Sequence, residues 1–143
     1  MSHYIDPDRA QFEAFKGLDR DQPIEMLNLV KLYEKARYPA DHPLAAQDLS
    51  GEDSYALYGK DSGPVFQKVG GSILWRGSFE AMLIGPMDER WDHVFIARYP
   101  TAHAFMAMVT DPDYRKAVVH RQSAVQTSRL IRCGAQEAGD LFG

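Results

Sequence analysis

Residues 24–33 read Ile-Glu-Met-Leu-Asn-Leu-Val-Lys-Leu-Tyr, a nearly continuous apolar run. A β-strand that is covered on both faces has this composition, because neither set of alternating side chains points into water. Polar residues 19–23 precede the run, and residues 34–50, with two prolines, follow it as a long loop. The sequence therefore predicts a first strand here, packed against something on each of its two faces.

Helices are predicted before and after this strand. Asp6-Pro7 is typical of a helix start and predicts a short helix over about residues 7–18. Ser50-Gly51-Glu52-Asp53 has the pattern of a capping box that opens a second helix, which Gly70-Gly71 should end. Because proline cannot donate to the carbonyl group four residues earlier, this helix should kink near Gly63-Pro64.

The second half of the chain continues the alternation of strands and helices. Three further strands are predicted, and they cover residues 72–76, 91–99 and 128–133. Gly77 should mark a bulge, with Phe79–Ile84 continuing extended. Thr101 should cap a helix that Asp111-Pro112 restarts and that runs to about residue 124.

The order strand, helix, strand, strand, helix, strand is the split βαβ pattern of ferredoxin-like folds. We therefore expect an α+β protein, a ferredoxin-like βαββαβ sandwich with an extra N-terminal helix. It should form one domain over 1–143, with its core at about 23–133 and a loose tail at 134–143. Helices cover only one face of such a sheet. Since the first strand is apolar on both faces, a second copy should cover the other face and give a homodimer.

The composition excludes several classes of partner. The chain has 143 residues, of which 45% are hydrophobic, and its net charge of −4 gives no positive field for nucleic acid or an anionic membrane. No apolar run approaches the roughly 20 residues of a membrane span, and the polar start lacks the core of a signal peptide. Cys133, the only cysteine, is expected to be a buried hydrophobe in the last strand, and the expected location is the cytoplasm.

Several short segments, in this order, are similar to one known family. They are Met26–Lys31, Gly70-Gly71, Leu74–Gly77, Trp91-Asp92, Tyr99-Pro100, Met108–Tyr114, His120-Arg121 and Ser128–Leu130. Over about residues 23–132 the chain resembles the longer branch of the family called domain of unknown function 1330. One departure is Gln126-Thr127, where relatives tend to carry acidic residues.

The resemblance implies a ferredoxin-like fold and membership of the dimeric α/β barrel superfamily. That superfamily includes antibiotic-biosynthesis-type monooxygenases, muconolactone isomerases and haem-binding chlorite dismutases. The family itself has no established activity, so the resemblance implies a fold and a dimer but little chemistry.

The sequence lacks the common motifs for cofactors and metals. It has no G-x-G-x-x-G, no P-loop and no G-x-S-x-G elbow. Its five histidines show no i, i+4 or H-x-H spacing that would bring two ligands to one metal. We therefore expect no bound metal and no cofactor.

Asn28 and Arg76 are two candidate binding residues within predicted strands. Asn28 interrupts the first strand, and its amide either bonds to backbone as a structural group or lines a pocket as a donor. Trp75 and Arg76 should point to opposite faces of the second strand. The simpler interpretation is a core tryptophan with a surface arginine, and the alternative is an inward Arg76 that binds a carboxylate or enolate oxygen.

Two residues are candidate catalytic groups. Asp92 opens the third strand and could pair with Arg76 on the neighbouring strand, as a structural or a catalytic ion pair. His120 could be a general base or a solvated residue at the end of a helix. With ligand-binding roles for Asn28, Tyr55, Arg76 and Arg121, these residues make up the predicted site.

Two functional hypotheses follow. The first is a small-molecule enzyme or binding protein with a pocket between sheet and helices, which runs proton transfer or cofactor-free, monooxygenase-like oxidation of an enolisable substrate. It would use His120 or Asp92 as a base and Asn28 or Arg76 as the oxyanion partner. The alternative is a non-catalytic homodimer that binds a ligand or a partner protein.

Overall fold

The computed structural model describes residues 3–143 and contains four helices and four strands in that range. The elements in chain order are α1 (Arg9–Gly17), β1 (Ile24–Leu32), α2 (Gly51–Lys68), β2 (Ser72–Gly77), β3 (His93–Tyr99), α3 (Ala102–Thr110), α4 (Pro112–Ala124) and β4 (Val125–Gly134). The predicted order of strands and helices is therefore confirmed, and α1 is the extra N-terminal helix.

The strands form one antiparallel sheet in the order β2-β3-β1-β4. The two strands that each follow a helix-containing crossover, β2 and β4, lie at the edges, while β1 and β3 lie in the centre. This is the ferredoxin-like arrangement, and it makes β1 a central strand with neighbours on both sides. The apolar composition of residues 24–33 follows from that position.

Side-chain caps start the helices at the places that the sequence marks. The Ser50 hydroxyl accepts from the Asp53 amide at 3.0 Å, and the Thr101 hydroxyl accepts from the Ala104 amide at 3.1 Å. Asp111 caps α4, and the bond from the Asp113 amide lowers the pKa of the Asp111 carboxyl. Proline lacks only one backbone N–H donor, so α2 continues past Pro64 to Lys68. After the helix, Gly70 takes a positive φ of 85°.

Several predicted details of the elements are wrong. α1 begins at Arg9 rather than residue 7, because Asp8 forms a capping box with Gln11. Residues 79–84 form no strand but an exposed connection, so the second strand ends at Gly77. The register irregularity in β2 lies between Ile73 and Trp75 rather than at Gly77.

Two side chains predicted to be buried are exposed. Cys133 lies near the end of the edge strand β4, where nothing covers it within the protomer. Trp75 lies on the sheet face away from the helices, because the irregularity before it shifts the alternation of β2. Arg76, which was expected on the surface, takes the helix-facing side and is also exposed.

The helix-facing side of β1 contributes to two separate apolar clusters. Ile24 and Met26 pack into the larger one with side chains of α2, α3 and α4, and Val30 and Leu32 pack into the smaller one with the end of α4. Asn28 lies midway between them on the same face of the strand. Asn28 thus separates the two clusters along β1, while the half-buried Phe95 packs against both.

The opposite face of the sheet carries an apolar row across all four strands. Trp75, Ile96, Leu27 and Ile131 are paired neighbours in the sheet, and Trp75 and Ile131 are about half exposed. No helix within residues 3–143 covers this row. Residues 3–143 include no helix that is long and apolar enough to cross a membrane.

The assignment of the core can be tested by removing the same atoms from a buried and from an exposed isoleucine. Ile24 is 1% exposed, so Ile24→Ala should lower the free energy of unfolding by about 2–5 kcal/mol through lost burial and a cavity. Ile84 is 90% exposed, and Ile84→Ala should change it by less than about 0.5 kcal/mol. Urea denaturation measures both values, and equal effects would contradict the assignment of the core.

Candidate functional site

A cleft of about 1430 Å³ separates the sheet from the helices. Its floor includes a row of paired residues across the four strands, which are Arg76, Phe95, Asn28 and Leu130. Its roof comes from α2 and α4, and residues 4–9 of the N-terminal segment form one wall. The cleft therefore borders the larger apolar cluster of the core directly and reaches the smaller one through Ile5 and Tyr55.

Asn28 combines a structural bond with a group open to the cleft. Its Nδ2 donates to the backbone oxygen of Met26 at 3.0 Å, which holds the amide in place. Its Oδ1 has no protein partner among the residues described, and the side chain is half-buried. The structural interpretation of Asn28 thus applies to Nδ2, which bonds to backbone. The ligand-binding interpretation applies to Oδ1, which remains available as an acceptor.

Three tyrosines line the roof. The Tyr58 and Tyr114 hydroxyls are 2.9 Å apart, and the rings of Tyr55 and Tyr58 lie 5.6 Å apart. Burial raises the pKa of Tyr55 and of Tyr114 far above the ordinary value, so both phenols remain neutral. The Tyr55 hydroxyl has no hydrogen-bond partner within residues 3–143 and is available to a ligand in the cleft.

Arg76 and Arg121, two of the arginines that line the cleft, differ in their contacts. The Arg121 guanidinium donates to the Ile5 carbonyl oxygen at 2.6 Å and to Ser128 Oγ at 3.2 Å, so it fastens the N-terminal segment to β4. Arg76 makes no hydrogen bond or ion pair in the described part of the chain. Both positive charges favour the ionised form of Tyr55, although burial dominates the pKa of that phenol. The Arg76 guanidinium therefore remains open to an anionic ligand.

His93 belongs to the cleft, although the sequence analysis did not select it. Its Nε2 lies 3.1 Å and 3.2 Å from the two carboxylate oxygens of Glu52, and its ring stacks on Tyr55 at 5.0 Å. His93 lies two residues before Phe95, on the same face of β3. The alternation of side chains along β3 is the sequence pattern that indicates His93. The prediction placed its neighbour Asp92 in the site instead.

His120 lies outside the cleft. Its Nδ1 lies 2.7 Å from the Tyr38 hydroxyl and its Nε2 lies 3.4 Å from Asp61, and the His42 ring packs edge-on against it. The side chain is only 13% exposed. It therefore fastens the loop 34–50 to the helices and is not a solvated helix-end residue.

Asp92 also lies outside the cleft. Its amide donates to the Val30 oxygen and its Oδ2 accepts from the Leu32 amide, each at 2.7 Å. These bonds extend the pairing of β3 with β1, which is a structural role. No ion pair joins Asp92 to Arg76 among the described residues. The structure brings Asn28, Tyr55, Arg76 and Arg121 together in one cleft, without Asp92 and His120.

In the part of the chain that the structure describes, no three His, Cys, Asp or Glu side chains lie close enough to hold a metal ion together. At the cleft, the side chains that come closest to forming a metal-binding group are the two of His93 and Glu52. The available chemistry is therefore that of hydrogen bonds, positive charge and proton exchange at an imidazole.

Comparison with known proteins identifies one family. The model of the domain of unknown function DUF1330 matches residues 44–134, a range that begins later than the resemblance noted in the sequence. The crystal structure of RPA0582, a protein of unknown function from Rhodopseudomonas palustris, is 51% identical, with a TM-score of 0.88 over 96% of this chain and 100% of that chain. Its methylated form gives a TM-score of 0.90 over 98% and 100%, also at 51% identity.

More distant structures add no functional argument. SnoaB, a cofactor-independent oxygenase from Streptomyces nogalater, is 12% identical and has a TM-score of 0.48 over 82% of this chain and 96% of that chain. A similarity at this level is too low for a conclusion about this chain. No curated protein matches the sequence.

The structural role of His120 can be measured against a surface histidine. His120→Ala should lower the free energy of unfolding by about 1–3 kcal/mol, because it leaves the half-buried Tyr38 hydroxyl without its partner. His103 is 58% exposed and pairs with Asp21 on the surface, so His103→Ala should change this value by less than about 0.5 kcal/mol. Thermal and urea unfolding give both numbers. A neutral His120→Ala would show that His120 does not hold the loop.

Proposed function

The chain belongs to the family of domains of unknown function DUF1330, and from this premise we propose that it binds a small, planar organic anion in the cleft between its sheet and its helices. The observation that carries the proposal is the division of the core at Asn28. The space between the two apolar clusters is lined by polar groups with unused hydrogen-bonding capacity. Such a gap reduces stability unless a ligand uses it.

The charge of the lining favours an anion. Arg76 presents an unpaired guanidinium, whose fork of donors matches a carboxylate or an enolate oxygen. The acidic side chains that line the cleft, Asp6 and Asp8, belong to its N-terminal wall, and each already accepts a hydrogen bond from a glutamine. The interior of the cleft therefore attracts negative charge.

The walls favour a flat ligand. Phe95 on the floor and Tyr58 and Tyr114 on the roof provide aromatic surfaces, which prefer offset or edge contacts with another ring. The Tyr55 hydroxyl and the Asn28 oxygen are the directional groups that would fix its orientation. A planar acid with one or two further polar groups fits these requirements.

The proposed chemistry is proton transfer on the bound anion without a cofactor. Asp92 and His120 are the bases that the sequence predicts, but both have structural partners outside the cleft. The base must therefore come from the residues that line the cleft. The monooxygenase-like alternative would need molecular oxygen beside the same ligand. We prefer proton transfer because the lining contains an imidazole and an unpaired cation.

We propose in addition that the protein is a homodimer through the open face of the sheet. The row of Trp75, Ile96, Leu27 and Ile131 crosses all four strands and is apolar along its length. A contiguous exposed apolar patch of this kind typically marks an interface. A second copy offers the same row, so a two-fold contact would bury both rows at once. A non-catalytic dimer remains the alternative function, and this face is the observation that favours it.

We further propose a cytoplasmic location and no role in nucleic-acid binding. A single cysteine that is exposed, Cys133, suits a reducing compartment. The net charge of −4 provides no electrostatic attraction to phosphate backbones.

Salicylate, a planar aromatic acid, tests the proposed ligand class, and salicylamide is its neutral counterpart. Calorimetry should show that salicylate binds more tightly, because only the acid carries the charge that Arg76 can neutralise. Arg76→Met should weaken salicylate binding about tenfold or more, as expected for the loss of a charged hydrogen bond of about 1.5–3 kcal/mol. Arg20→Met removes an arginine outside the cleft lining and should leave the Kd unchanged. Equal affinity for acid and amide would contradict the proposal.

The dimer is tested by placing a charge in the apolar row. Light scattering should give about twice the 16.1 kDa chain mass for the unmodified protein. Trp75→Glu should give the single-chain mass while the circular dichroism spectrum stays native, because Trp75 is already half exposed in the protomer. Leu83→Glu adds the same charge to an exposed loop and should leave the dimer intact. A monomeric unmodified protein at micromolar concentration would refute the dimer.

A further inference from the structure

We propose that His93 is the general base of the cleft and that Glu52 holds its imidazole in the reactive tautomer. The substrate class is a planar anion with an acidic C–H bond next to a carbonyl group, for which an enolisable 2-oxo acid is the simplest example. This inference rests on the proposed binding of an organic anion in the same cleft. It adds the atom that removes a proton and the residue that positions it.

The contact between His93 and Glu52 determines which ring nitrogen is free. A carboxylate only accepts hydrogen bonds, so Nε2, at 3.1 Å and 3.2 Å from its two oxygens, must carry the proton. In the neutral ring Nδ1 then bears a lone pair. Nδ1 has no hydrogen-bond partner within residues 3–143, and the ring lines the cleft. An unoccupied basic nitrogen is therefore present on a ring that lines the cleft.

The local backbone is built for this contact. Gly51 begins α2 directly against the end of β1, where a Cβ atom would overlap the carbonyl oxygen of Tyr33. The close approach brings the next residue, Glu52, to the start of β3, and the helix N-terminus favours its negative charge. The Tyr55 ring, one turn further on, stacks on the imidazole at an interplanar angle of 21° and limits its rotation.

A purely structural role does not account for the pair. The side chains of His93 and Glu52 are 33% and 63% exposed, and ion pairs at such positions contribute little to stability. The same exposure leaves the imidazole accessible to a ligand and to water that could accept or return a proton. The geometry resembles the carboxylate–histidine arrangement of enzymes in which the carboxylate orients the base.

The proton transfer balances without a further reactant. The C–H bond next to the carbonyl group breaks, and an N–H bond forms at Nδ1 of His93. The electron pair of the C–H bond forms the carbon–carbon double bond of an enolate, whose oxygen takes the negative charge. The unpaired Arg76 guanidinium can stabilise this charge, and Glu52 stabilises the imidazolium. Return of the proton from the imidazolium or from water regenerates the ring.

Exchange of hydrogen for deuterium tests the base directly. Phenylpyruvate in D2O should lose its C3 proton signal faster with the protein than in buffer alone, as followed by proton NMR. His93→Gln should lower the protein-dependent rate by about 10²–10⁴-fold, the contribution typical of a general base. The matched control, His103→Gln, changes a histidine that contacts Asp21 at 3.2 Å on the surface, and it should keep the full rate. A full rate in His93→Gln would overturn the proposal.

The positioning role of Glu52 has its own readout. With ¹⁵N-labelled histidine, the NMR shifts of His93 should report a proton on Nε2 and none on Nδ1. Glu52→Ala removes the acceptor of the Nε2 proton, so part of the rings should change to the Nδ1-protonated tautomer and the exchange rate should fall. The control Asp21→Asn should leave the His93 shifts and the exchange rate as they are. A His93 tautomer unaffected by Glu52→Ala would contradict the role of Glu52.

Failure of this inference can be separated from failure of the proposed function. If salicylate binds and Arg76→Met weakens it, while phenylpyruvate exchanges no faster than in buffer, the cleft binds anions and His93 is not a base. If neither compound interacts, the proposed function itself fails. A native melting temperature for His93→Gln would show that its loss of exchange is not loss of fold.

Discussion

A central strand with helices on one face needs apolar side chains along that face, and β1 meets this requirement everywhere except at Asn28. The rest of the molecule is arranged around that exception. The amide bonds to the backbone of its own strand, so the polar group is tolerated without a partner from the helices. Apolar packing then develops separately on either side of it, and the helices span the space between. The cleft opens over this one polar position of β1, and the register of the sheet determines which other strand residues lie beside it.

The order and type of the main elements could be predicted from the sequence, because each rests on local chemistry. The composition of residues 24–33, the Ser50 cap and the glycine at position 70 act over a few residues. The side of the sheet that each residue of β2 faces could not be predicted, since it depends on an irregularity between Ile73 and Trp75 that no local signal marks. That irregularity placed Trp75 outside the core and Arg76 over the cleft, which reverses the simpler interpretation of the pair.

The candidate site was only partly predictable for a related reason. Asn28 and Arg76 were identifiable because a polar residue within a strand is unusual by itself. His93 and His120 are indistinguishable by residue type, and their roles depend on what distant segments bring to them. The loop 34–50 supplies Tyr38 to His120, while the first turn of α2 supplies Glu52 to His93. Only the folded chain shows which imidazole is held among structural partners and which keeps a nitrogen open.

The attachment of the N-terminal segment has a practical consequence. Arg121 and Ser128 hold the backbone at Tyr4 and Ile5 beside the cleft, so the segment is a wall of the site and not an appendage. A purification tag joined ahead of these residues would lie next to the cleft mouth and could alter its shape or occupy it. Residues 135–143, at the other terminus, are exposed and have no helix or strand. Material for ligand screening is therefore better produced with its tag at the C-terminus.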